Sequence, residues 1–64
     1  MILLRKRPDG FVGAVTIPSA RTQWIFDQPI SEAVFRERMA EIGAHSTDVW
    51  DVISEADRTG FAYL

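Results

Sequence analysis

The sequence predicts a small α+β domain: an antiparallel meander of three strands, with room for a fourth at the C-terminal end, covered by two helices in the order β-β-β-α-α-(β). Three observations carry this reading. Two strand-like runs flank the turn signal Pro8-Asp9-Gly10, a third alternating run spans Thr22 to Asp27, and from Ser31 onward the apolar residues recur at helical spacing. At 64 residues the chain holds one domain and one core. A chain of that size buries only about 60% of its unfolded surface, so its stability is marginal. Without Cys it has neither disulfides nor thiolate metal ligands to staple it.

The first two strands are Ile2 to Arg7 and Phe11 to Ile17. Pro8 presets φ at the first turn position, Asp9 suits the next, and Gly10 supplies the left-handed residue of a bulged three-residue loop. In that register Arg7 faces Phe11 and Arg5 faces Gly13, which puts Leu3, Arg5, Arg7, Phe11 and Val15 on one face of the ribbon. The tip then projects into solvent while Ile2, Leu4, Val15 and Ile17 join the core. A second turn at Pro18-Ser19-Ala20-Arg21 leads into the third strand, whose alternation directs Trp24 and Phe26 inward.

Asp27-Gln28-Pro29-Ile30 breaks that strand, because Pro cannot donate to a ladder. Ser31 is the expected cap of the first helix, with Ile30 and Phe35 at the positions of a hydrophobic staple. Phe35, Met39 and Ile42 form its buried stripe with Val34 on the flank, and Gly43 stands where a left-handed residue ends a helix. The second helix starts at Ser46 or Thr47 with Asp48 in its first turn, where the macrodipole favours negative charge. Val49, Val52, Ile53 and Ala56 make its stripe and Gly60 ends it. Phe61-Ala62-Tyr63-Leu64 has strand character and either returns to the sheet or packs as an extended end.

Charge is divided along the chain. Residues 1 to 25 carry Arg5, Lys6, Arg7 and Arg21 against Asp9, about +3, whereas the remainder carries eight carboxylates against Arg36, Arg38 and Arg58, about −5. No apolar run approaches the ~20 residues that span a bilayer, and the apolar start Met1-Ile2-Leu3-Leu4 precedes its basic residues, the reverse of a secretory signal. A soluble cytoplasmic protein without membrane contact is the expectation.

Chemistry finds little purchase. Nucleophilic catalysis needs a nucleophile beside an oriented base, and His45, the single His, falls in the link between the helices, where an exposed loop residue is the expectation. One His with scattered carboxylates lacks the ligand density of a zinc site, and the glycines form no phosphate loop. Asp48, Asp51 and Glu55 share a helix face but a solvated one, and a chain this short rarely encloses the about 300 Å³ that small-molecule sites use. No catalytic residue, metal or cofactor is expected.

What remains is a surface. Glu37 and Glu41 are four residues apart on the first helix, and Asp48, Asp51 and Glu55 line the second, so like charges stand where each costs a few tenths of a kcal/mol. Such a face either keeps the protein soluble or engages a basic partner. Trp50, at the edge of the buried stripe beside Asp57, either folds over the rim of the core or serves as an exposed contact. The protein-binding set is therefore Glu37, Glu41, Asp48, Trp50, Asp51 and Glu55. The expected partner is a larger protein or nucleoprotein complex with a basic surface. An inhibitor carried by a phage or other mobile element, aimed at a nucleic-acid-guided defence complex, suits this size and charge by analogy.

A competing reading has Arg5, Lys6, Arg7 and Phe11 binding nucleic acid directly, although a net charge of −2 argues against it. A third has a homodimer joined through Phe61 to Leu64 or the first strand, as a small structural subunit.

Overall fold

The computed structural model describes all 64 residues, and the expected architecture is the observed one. Strands β1 (Ile2–Arg7), β2 (Gly10–Ile17) and β3 (Thr22–Ile30) form the meander, followed by helices α1 (Glu32–Glu41) and α2 (Ser46–Thr59) and a short strand β4 (Phe61–Tyr63). All pairings are antiparallel, in the sheet order β3-β2-β1-β4. The terminal segment therefore does return to the sheet. Ile2 N–H donates to the Leu64 carbonyl and Leu64 N–H to the Ile2 carbonyl, each at 2.8 Å.

The register of the first hairpin differs from expectation. Arg7 pairs with Gly10, Lys6 with Phe11 and Leu4 with Gly13, so the loop is the two residues Pro8 and Asp9. Because side chains alternate, a one-residue slip turns β1 over relative to β2. The result sorts the residues by polarity: Ile2, Leu4, Lys6, Phe11 and Val15 share the helix-covered face, and Leu3, Arg5, Arg7 and Val12 share the other. Phe11 and Val15 are both buried with Ile2 and Leu4. Ile17 is only partly buried and packs at the margin of the core.

Strand β3 also runs further than expected. Between the pairs Phe11 with Ile30 and Gly13 with Phe26, β3 has two more residues than β2, an irregularity that accommodates Pro29 on an edge strand. Gly10 adjoins this segment. Its φ is +145°, and a Cβ there would lie 2.5 Å from the Ile30 carbonyl oxygen.

Local signals at the helix ends are realised. The Ser31 side chain accepts a 3.2 Å bond from Val34 N–H. At the other end of α1, Gly43 has φ +82°, its N–H donates to the Ala40 carbonyl, and Ala44 N–H donates to the Met39 carbonyl, the paired pattern that satisfies the last carbonyls of a helix. Gly60 closes α2 with φ +90°. His45 occupies the N-cap of α2 in extended conformation without a side-chain capping bond.

Twelve buried residues form a single core with no buried polar side chain. The sheet contributes Ile2, Leu4, Phe11, Val15, Phe26 and Ala62, all from one face, and the helices contribute Phe35, Met39, Val49, Val52, Ile53 and Ala56. Trp24, Phe26 and Phe35 lie with ring centroids 4.2 to 6.0 Å apart where α1 meets β3. The helices cover one face of the sheet, and the other face is bare. No helix is long and apolar enough to cross a membrane.

Candidate binding surfaces

Folding turns the division of charge along the chain into a division between layers. The helices and the link between them carry seven carboxylates and three arginines, net −4, while the strands and turns before Glu32 carry four cations and two carboxylates, net +2. The molecule is thus polar from one layer to the other.

On the helical layer the acids are unequal. Arg38 pairs with Glu41 at 3.2 Å, Arg36 with Glu32 at 2.9 Å, and Arg58 with Glu55. Lys6 reaches from β1 to Asp57 on α2, 3.7 Å away, the one ion pair that joins two elements. Glu37, Asp48 and Asp51 have no such partner. Glu37 and Asp51 stand exposed, each about 160 to 200° round its helix from a buried residue, Phe35 and Val49 respectively. They point outward from the layer.

Trp50 does not fold over the core. It is 59% exposed, and its ring carries the Arg36 guanidinium of α1 at 5.8 Å from the centroid. At 100° per residue Trp50 lies about 100° from Asp51 and about 160° from Asp48, so it occupies the shoulder toward α1 while those two acids lie toward the opposite one. Asp57, seven residues on, keeps the place beside Trp50 that the sequence gave it, whereas Asp48, Asp51 and Glu55 lie round the other side of α2. Trp50 stays at the surface because Val49, Val52, Ile53 and Ala56 already fill the space under α2.

The basic group predicted on the hairpin is split by the register. Phe11 is 2% exposed and offers no ring face to a ligand. Lys6 lies on the same side, 4.6 Å from the Phe11 centroid and paired with Asp57. Arg5 and Arg7 stand on the bare face of the sheet, neither paired with a carboxylate. There Arg5 meets Phe61, with its guanidinium 5.8 Å from the ring centroid. Sequence reasoning gave Phe61 no role with Arg5, because their adjacency requires β4 to pair with β1.

One open cleft of about 370 Å³ lies at the end of the molecule, lined by residues that include Met1, Ile17, Pro18, His45, Asp48 and Leu64. His45 and Asp48 both line it because they stand at the N-cap and in the first turn of α2, and no group of three or more His, Asp or Glu side chains anywhere is arranged to hold a metal ion.

Comparison with protein-family models, characterised proteins and solved structures finds no significant match for this chain.

Proposed function

We propose that this chain is a non-catalytic binding module whose helical layer docks on a basic surface of a larger protein or nucleoprotein complex. The observation that carries this reading is the segregation of charge, with a helical layer of net −4 whose unpaired acids Glu37 and Asp51 face outward. Two elements of net negative charge steer an oppositely charged partner during encounter and set its orientation. Acid–base catalysis needs carboxylates whose environments differ, as a shielded cleft provides. The exposure of Glu37 and Asp51 favours contact instead.

Trp50 supplies an exposed apolar contact on the same layer. A large, exposed aromatic ring at an interface carries more binding energy than the charges around it, which act mainly on rate. Blocking a basic groove is a task this layer suits. An inhibitor or regulator that competes with nucleic acid for such a groove, in a guided defence complex for example, would work this way.

The test begins with affinity capture from lysate of the source organism after nuclease treatment, followed by binding kinetics with what is recovered. Reversing Glu37 and Asp51 to Lys should leave the fold intact and slow association at low salt, with the difference shrinking as salt rises. Unchanged association in that variant, with binding lost on reversing Arg5 and Arg7 to Glu, would place the interface on the sheet.

A further inference from the structure

We propose that the bare face of the sheet is a platform for single-stranded nucleic acid, a second binding surface that does not depend on the role of the helical layer. Alternation along the strands defines its content. Ile25, Ala14, Leu3 and Tyr63 stand side by side across all four strands, and Val12, Arg5 and Phe61 form the neighbouring row. Ile25 is 68% exposed and Tyr63 65%, although a sheet face that needs only water would carry polar residues at these positions.

The occupant is identified by the combination of rings and charge. Phe61 and Tyr63 project from the same side of β4, two residues and about 7 Å apart. That separation suits successive bases of an extended strand, each stacked on one ring, and is too wide for the stacked bases of a duplex. Beside them, Arg5 and Arg7 have no carboxylate partner within the molecule and are free to meet phosphates. Aromatic rings on an open sheet flanked by cations form a stacking platform in physical terms.

Net acidity does not oppose this. No direction across the molecule is shorter than 17 Å, about twice the ~8 Å screening length at physiological salt, so acids on the outer side of the helices are largely screened from a ligand on the sheet. A second copy of the chain is the poorer occupant. Apposing two such faces would bring together four arginines, with Asp27 of each copy the one carboxylate on this side to receive them.

β4 is held for such a task. Gly60 turns the chain directly from α2 into the strand with φ +90°, and the Thr59 hydroxyl lies 2.7 Å from the Phe61 carbonyl oxygen. Ala62 is buried under the helical layer, so Phe61 and Tyr63 must face away from it.

The test is fluorescence anisotropy of a labelled single-stranded oligonucleotide of about ten residues, titrated with the protein at low salt. Binding is expected to weaken with added salt at a logarithmic slope of about −1.4, the value for two phosphate contacts on a single strand. Tyr63→Ala should reduce affinity roughly 5- to 150-fold, and Arg5→Gln with Arg7→Gln should flatten the salt dependence, with circular dichroism matching the parent in both. The proposal would be overturned by no binding at low salt, equal binding by the Tyr63→Ala variant, equal affinity for a duplex, or equal competition by polyglutamate, which would assign the face to an acidic protein. A dimer mass that Tyr63→Ala abolishes would overturn it in favour of self-association.

Discussion

Gly13 owes its place to a missing side chain. A Cβ there would lie 2.0 Å from the Leu3 carbonyl oxygen, inside any tolerable contact, and the opposing atom is backbone that cannot swing aside. Gly13→Ala should therefore force β1 and β2 apart at the centre of the sheet and cost about 3 kcal/mol or more, read as a shift in the denaturant midpoint with an unchanged slope. Gly10→Val should cost about 1 to 3 kcal/mol for the strain of its positive φ, and more for the clash with Ile30. Arg21 offers the opposite case. It is the one residue other than Gly with positive φ, at +51°, so Arg21→Gly should raise stability by about 0.5 to 1 kcal/mol as measured by thermal unfolding. Gly10 could be recognised from the turn triplet around it. Gly13 could not, because a lone Gly in a strand says that something approaches closely without saying what.

Helices were more legible than strands, and the reason is periodicity. The stripe Val49, Val52, Ile53 and Ala56 can face only one way on a helix, and it is buried as its spacing requires. Phe35→Ala and Ile53→Ala should each cost about 2 to 5 kcal/mol, enough to unfold a marginal domain, whereas Trp50→Ala, on the exposed shoulder, should change stability by less than about 0.5 kcal/mol. Comparable losses at Trp50 and Ile53 in chemical denaturation would contradict the packing described. Strand faces depend on register, and a triplet such as Pro8-Asp9-Gly10 closes a loop of two residues or three. What decides between them is burial over the whole sheet: the observed pairing gathers Ile2, Leu4, Phe11 and Val15 on one side. The same limitation hid the length of β3, since a proline that would break a central strand is accommodated where an edge strand bulges.

Size and shape are those of a compact chain. The radius of gyration, 10.5 Å, and the exposed area, 4204 Å², match the about 10.7 Å and about 4,100 Å² expected of a compact chain of this length and mass. Ion pairs contribute little to that stability. All four are exposed at both partners, so each is worth about 0 to 1 kcal/mol, and raising salt should leave the unfolding midpoint nearly unchanged while weakening partner binding. The division of charge along the chain was legible from composition alone. Its conversion into two opposed faces was not, because it depends on both helices covering the same side of the sheet and on β4 returning beside β1. The most direct measurement of the central claim is amide chemical-shift mapping of the isotope-labelled protein titrated with its nuclease-resistant partner. Shifts are expected along the outward faces of α1 and α2, including Glu37, Trp50 and Asp51, with the bare sheet face unaffected. Shifts confined to β1 and β4, around Arg5, Phe61 and Tyr63, would contradict it.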